Sequence, residues 1–218
     1  MILFGSTLSP YVRKVAVFAE EKGVALELQP TSAEGFAAAS PFRKMPAFSD
    51  GDFRISDSTA IITYLDARYP EPNLIPLEPR ARARTIWFEE LADTIVTAAG
   101  IAIFFNRFVG PRFFNVPCDH DAADTAERDR LPPIFDYLEG VIPASGFLVE
   151  DRFTLADIAA ASPFATLGTI GVTIDPACWP KTAAYVAAIH ARPSFAAIIA
   201  SDRSTVDAMG GPMVREPA

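Results

Sequence analysis

Ser6-Thr7-Leu8-Ser9-Pro10-Tyr11-Val12-Arg13-Lys14 is the stretch whose residue types and spacing could do chemistry. Met1-Ile2-Leu3-Phe4 before it reads as a strand, and Gly5 breaks that strand. Ser9 is a good helix N-cap, and Pro10 is the favoured residue at a first helical position. A strand thus turns sharply into a helix with serine hydroxyls at the turn. A helix N-terminus has unpaired N–H groups and partial positive charge, which suit an anion. A thiolate is one such anion, and a hydroxyl donated to it favours the ionised form over the thiol.

The elements that must hold this turn are legible in order. Val12, Val15, Ala16, Phe18 and Ala19 recur at helical spacing, and Gly23 ends that helix. Ala25-Leu26-Glu27-Leu28-Gln29 alternates like a strand, giving a βαβ unit with a parallel pair. A short helix is expected over 33–39. Ala47-Phe48 and Phe53-Arg54-Ile55 flank Ser49-Asp50-Gly51-Asp52 as a hairpin, with Pro46 at its entry. Asp57-Ser58 opens a helix with Ala60, Ile61, Tyr64 and Leu65 on its apolar face. The proline-rich run from Tyr69 to Pro79 reads as a linker.

Beyond the linker the pattern is helical throughout. One long helix is expected from 80 to about 108, ended by Gly110-Pro111. Another is expected over 121–139, kinked or restarted by Pro132 and Pro133. Phe153-Thr154-Leu155-Ala156-Asp157-Ile158 is a capping box, with Phe153 placed to staple onto Ile158, ahead of an almost wholly apolar helix. Trp179-Pro180 opens a helix through His190, and Pro193-Ser194-Phe195 opens a short last one. Residues 204–218 are expected to be mobile. The fold class is α/β over 1–76 (βαβ-αββα), followed by an all-α bundle domain over 77–218.

Composition narrows the functions. The net charge of −8 repels nucleic-acid backbones and anionic membranes, so neither is expected as a partner. No apolar run reaches membrane-spanning length. The only cysteines, Cys118 and Cys178, and the only histidines, His120 and His190, have no metal-ligand spacing. No metal is expected, both cysteines are expected to be inert, and the expected setting is a reducing cytoplasm.

The Ser-Pro-Tyr-Val-Arg-Lys turn, Lys44-Met45-Pro46, Asp57-Ser58 and Thr154-Leu155-Ala156-Asp157, in that order, resemble the soluble glutathione transferase family. The resemblance is to bacterial-like members with a serine-type active site, with no class assigned. It covers nearly the whole chain and implies a thioredoxin-like N-terminal domain followed by a helical domain. It also implies glutathione as co-substrate, a homodimer, and a small hydrophobic electrophile as second substrate.

By this resemblance Pro46 is the cis-proline of the thioredoxin-like fold, and the Met45 backbone pairs with the cysteinyl part of glutathione. Asp57 and Ser58 hold the γ-glutamyl end, Asp57 at its ammonium and Ser58 at its carboxylate. Lys44, with Arg43 as the second choice, meets the glycyl carboxylate. Ser9 and Ser6 compete as the activating hydroxyl. Ser9 is favoured because it precedes Pro10 as in tau- and phi-like patterns, and Tyr11 ranks last. The electrophile pocket is expected from Thr7-Leu8, from Ile103, Phe104, Arg107 and Phe108, and from the C-terminal segment. Asp93 could face glutathione, whereas Arg80, Arg82 and Arg84 should be solvated.

Cys-Pro-x-Cys is replaced by Ser9-Pro10-Tyr11-Val12, which disfavours thiol-disulfide exchange. The Ser-Ser-Cys motif of zeta-type isomerases is absent. The expected activity is attack of the glutathione thiolate on an electrophilic carbon. The alternatives are a glutathione-dependent peroxidase or dehalogenase, and a non-catalytic glutathione-binding or regulatory protein.

Overall fold

The computed structural model describes residues 1–213. Its first part runs β1 (Ile2–Phe4), α1 (Pro10–Glu21), β2 (Glu27–Gln29), α2 (Phe36–Ala39), β3 (Ala47–Asp50), β4 (Phe53–Ser56) and α3 (Ser58–Arg68). The strand order is β2-β1-β3-β4. β1 pairs parallel to β2, with Leu3 opposite Leu28, and antiparallel to β3, with Leu3 opposite Phe48. The β3–β4 hairpin turns at Gly51, whose φ of +61° suits a residue without Cβ. This is the expected thioredoxin-like order.

α1 forms because Ser9 leaves the strand in extended conformation and Pro10 starts the helix. Val12, Val15, Val17 and Phe18 on α1 are wholly buried. Each such side chain contributes about 1.5–3 kcal/mol on leaving water. The β1–α1 turn needs Gly5. A Cβ there would stand 2.6 Å from Val12 Cγ2 and 3.3 Å from Met45 Cβ, at a φ of +145°.

The helical part begins with α4 (Pro79–Glu90), α5 (Thr97–Phe104) and α6 (Gly110–Phe113). They follow one another through π-helical stretches at Leu91–Val96 and Phe105–Val109. Gly110-Pro111 therefore does not end this rod. Proline lacks an N–H, and the first turn of α6 behind a π stretch does not require one. Next comes α7 (His120–Val141), which runs through Pro132 and Pro133 without restarting. Leu131, Ile134, Phe135 and Leu138 are buried around the prolines, and that packing offsets their local cost of about 3 kcal/mol each.

α8 (Leu155–Thr169) is the centre of this part, buried from end to end apart from Gly168. Its capping box forms as the sequence indicates: Thr154 Oγ1 accepts from Ala156 N and Asp157 Oδ2 accepts from Thr154 N. Phe153 meets the Phe147 ring and lies under the Arg192 guanidinium. α9 (Pro180–His190) and α10 (Pro193–Ala208) meet at a bend of 91°. α10 is longer than the short helix expected, and residues 204–208 are its last turn, because Asp202 and Val206 are buried beneath it. Residues 214–218, also expected to be mobile, lie outside the described residues. Among the described residues, no single helix is long and apolar enough to cross a membrane.

Candidate active site

The β1–α1 turn, the loop before β3, α5 and α8 enclose a cavity of about 370 Å³. Leu8, Ser9 and Tyr11 come from the turn, and Arg43, Lys44 and Met45 from the loop. Thr97, Gly100, Ile101 and Phe104 line the α5 side, and Pro163, Thr166 and Leu167 the α8 side. Polar groups thus stand at one end of a largely apolar space, the usual form of a site for a small organic ligand.

Ser9 is half-buried at this polar end. It heads α1, yet its hydroxyl makes no capping bond to the helix. Ser6 is exposed, does not line the cavity, and accepts from Leu8 N at 3.4 Å. Tyr11 reaches the cavity, but its hydroxyl is spent: it donates to the Asp93 carbonyl at 2.8 Å. Burial, followed by the Asp93 charge, pushes the Tyr11 pKa up.

The Met45–Pro46 peptide bond is cis. Pro46 O accepts from Asp57 N at 3.2 Å, which ties the loop before β3 to the start of α3. Asp57 has a φ of +88° and caps α3 by accepting from Ala60 N at 3.0 Å. Ser58 is buried beside it, while Lys44 and Met45 are exposed on the loop. Ser40 fixes that loop by donating to Lys44 O and accepting from Lys44 N. Pro46, Asp57 and Ser58 border the site at its loop end and do not line the cavity itself.

The apolar wall differs from the expected one. Of the residues expected there, Leu8 and Phe104 line the cavity, and Phe105 joins them. Arg107 and Phe108 do not. Arg107 turns toward α7 and pairs with Asp124 and Glu127, and Phe108 is wholly buried in the core. Ile103 is likewise wholly buried in the core. Thr7 points away and donates to Asp202. As far as Met213, whose N–H bonds Arg107 O, the C-terminal segment does not line the cavity, and its remaining residues, 214–218, lie outside the described residues. The α8 residues have no counterpart among the sequence candidates. Thr166 in a nearly all-apolar helix was their only local signal.

Lys14, Asp93 and Arg13, near the site, are committed to buried pairs. Lys14 bridges Glu89 Oε1 at 2.8 Å and Asp93 Oδ2 at 2.5 Å. Asp93 therefore faces Lys14, and burial holds its carboxyl above the usual range despite the lysine. Arg13 is wholly buried and bonds Ser162 O, Thr166 Oγ1 and Asp202 Oδ2. Arg80, Arg82 and Arg84 are exposed. Among the described residues, no group of three or more His, Cys, Asp or Glu side chains could hold a metal. Cys178 donates to Asp175, which pushes its thiol pKa up. Cys118 lies 3.5 Å from His120 Nδ1.

The N-terminal domain model of glutathione S-transferases matches residues 3–73, and the C-terminal domain model matches residues 94–193. The glutathione S-transferase 3 of Zea mays is 31% identical over 210 residues, covering 91% of this chain and 93% of the relative. The chain belongs to the glutathione S-transferase family. A glutathione S-transferase of Hyoscyamus muticus is 29% identical over 209 residues, covering 91% of this chain and 97% of the relative. The crystal structure of a glutathione S-transferase from Rhodospirillum rubrum overlays with a TM-score of 0.81 over 90% of each chain, at 24% identity, which speaks for the fold. In this family frame the chain is a glutathione transferase. The cavity lies where its thioredoxin-like and helical parts meet.

Proposed function

We propose that this glutathione transferase activates the thiol of glutathione with the Ser9 hydroxyl and directs the thiolate into the apolar cavity beside it. The observation that carries this reading is the unspent Ser9 hydroxyl, heading α1 at the polar end of the cavity. Tyr11 is already committed to Asp93, and Ser6 stands outside the cavity. The exposed Met45 backbone beside Pro46 suits an extended peptide ligand. Asp57 and the free N–H groups of α3 suit the ammonium and carboxylate of the γ-glutamyl end. Lys44 suits the glycyl carboxylate.

A free thiol titrates at roughly 8.5, so only a few per cent is ionised at neutral pH. Lowering that value by about two units needs about 2.7 kcal/mol of preference for the anion. A hydrogen bond to a charged group is worth about 1.5–3 kcal/mol, and the helix terminus about 0.3–1 more. Ser9 and α1 together are of sufficient size. The serine donates and is not consumed, so it needs no histidine.

The apolar wall of Gly100, Ile101, Phe104 and Leu167 fits a small hydrophobic electrophile. A homodimer belongs to the same reading, and exposed Phe42 and Trp87 suit a covered surface. A reducing cytoplasm suits Cys118 and Cys178, neither of which is in a disulfide among the described residues.

The test is the thiolate absorbance of protein-bound glutathione as a function of pH, with free glutathione beside it. The bound thiol is expected to titrate about two units lower. Ser9→Ala should return it toward the free value and lower kcat at neutral pH by about ten- to a hundredfold, with KM for glutathione nearly unchanged. Ser6→Ala should behave like wild type. Binding without a lowered pKa would remove the activation step, and an inactive Ser6→Ala beside a normal Ser9→Ala would move the role to Ser6.

A further inference from the structure

The turn that carries Ser9 is held in part from outside its own domain. Within the turn, Ser9 N donates to Ser6 O at 2.9 Å, and Leu8 N makes only a 3.4 Å bond to Ser6 Oγ. Gly5 N donates to Gln29 O at 2.8 Å where the turn leaves β1, and Arg13 N donates to Ser9 O at 3.0 Å where α1 begins, whereas the side-chain anchors of Thr7 and Leu8 come from α10 and α8. Thr7 Oγ1 donates to Asp202 Oδ1 at 2.6 Å, and Thr166 Oγ1 donates to Leu8 O at 2.9 Å. Arg13 closes the ring, donating to Thr166 Oγ1 at 2.8 Å and to Asp202 Oδ2 at 2.8 Å. Both residues before Ser9 are therefore gripped by one network. Each Asp202 oxygen has a separate task, one for the turn and one for Arg13.

Stability alone is a poor reason for such a network. Arg13 is wholly buried and Asp202 nearly so, and the Arg13 Nε is buried without a partner. Taking both ions out of water is costly, and well-packed apolar residues commonly serve as well or better. The best-attested use of a buried polar pair is to fix register. Here the register fixed is that of Thr7-Leu8 against α8 and α10, one residue before the hydroxyl that must meet the sulfur.

We propose that Asp202, acting through Thr7, is a positioning residue for Ser9, setting the hydroxyl's place against the glutathione sulfur from the far end of the chain. This rests on the reading of Ser9 as the activating hydroxyl. A hydroxyl displaced by about 1 Å makes a poorer bond to the anion, and errors of that size cost up to about a hundredfold in rate.

Thr7→Val tests it. The change keeps the shape and leaves the Arg13–Asp202 pair intact, so the variant folds where Asp202→Ala need not. The thiolate titration and steady-state kinetics are run on wild type, Thr7→Val, Thr7→Ser and Ser9→Ala. Thr7→Val is expected to raise the pKa of bound glutathione and lower kcat at neutral pH about tenfold, with KM for glutathione within about twofold. Thr7→Ser should restore both. A Thr7→Val protein that is only less stable toward urea, with the thiolate pKa unmoved while Ser9→Ala moves it, would overturn the positioning role and leave the Ser9 reading standing. If Ser9→Ala leaves the pKa unmoved as well, both are overturned.

Discussion

Asp57 caps α3 and, in the proposed reading, also meets the ammonium of glutathione, and the two jobs separate at the level of a single atom. Its backbone sits at a φ of +88°, its N–H is held by Pro46 O, and its Oδ1 caps α3 through Ala60 N. Asparagine keeps the cap and tolerates positive φ better than other residues with a Cβ, but it has no charge for an ammonium. Asp57→Asn should therefore stay within about 0.5 kcal/mol of wild type in urea. It should raise KM for glutathione about tenfold, the loss of one charge-assisted bond. Asp57→Ala loses the cap as well and should cost about 1 kcal/mol or more. An Asp57→Asn enzyme with normal KM would assign the residue to capping alone. This double duty is also why the site is partly legible in the sequence. Ser9-Pro10, Met45-Pro46 and Asp57-Ser58 are local codes for a helix start, a strand entry and a cap, and each must sit where the chain turns.

His190, at the C-terminal end of α9, shows what an element contact adds. Its Nε2 lies 2.9 Å from Ala161 O on α8, and burial lowers its pKa to about 4, with the Arg13 and Arg203 charges adding to the effect. An unfolded histidine titrates near 6.5, so between pH 6.5 and 4 the unfolded chain binds a proton that the folded chain refuses. The stability from neutral His190 is complete above that window and is lost as pH falls through it, by about 3 kcal/mol. His190→Gln retains a donor for Ala161 O and should flatten the wild-type fall in urea midpoint across this window. An unchanged slope would mean that other groups set it. The sequence-legible elements are those whose start is written locally, such as α1, α3 and α8. The rod from α4 to α6 and the length of α10 were less legible. Prolines and glycines read as stops when neighbours alone are considered, and the burial that overrides them comes from distant residues. The same holds for Arg13 and Lys14. On a bare helix they read as surface charges, and their partners Asp202 and Glu89 lie far along the chain.

α1 is the axis on which the whole molecule is joined. Arg13 enters α8 and α10, Lys14 enters the α4 rod, and Glu21 takes Arg192 and Ser194. One continuous apolar cluster runs from Leu3 and Phe18 to Leu155 and Phe195, so the two parts share a core. This geometry implies one cooperative transition, although the sheet and the helical bundle are separate in sequence. Lys14→Met probes the joint most directly, since it leaves Glu89 and Asp93 buried without their cation. The expected cost is about 3–5 kcal/mol at neutral pH. The Asp93 carboxyl is already raised by burial, with Lys14 opposing that rise. Without the lysine it rises further, so the folded variant binds a proton where the unfolded chain does not. Its stability then falls as pH rises through the carboxylate range, and its deficit against wild type shrinks as pH falls back through that range. Urea unfolding followed by tryptophan fluorescence reads Trp87 and Trp179 in the helical part, and far-UV circular dichroism reads the whole chain. The two curves should coincide for wild type and for Lys14→Met. Separated transitions in wild type would mean that α1 does not bind the parts into one folding unit. A Lys14→Met deficit independent of pH would mean that Asp93 finds another partner.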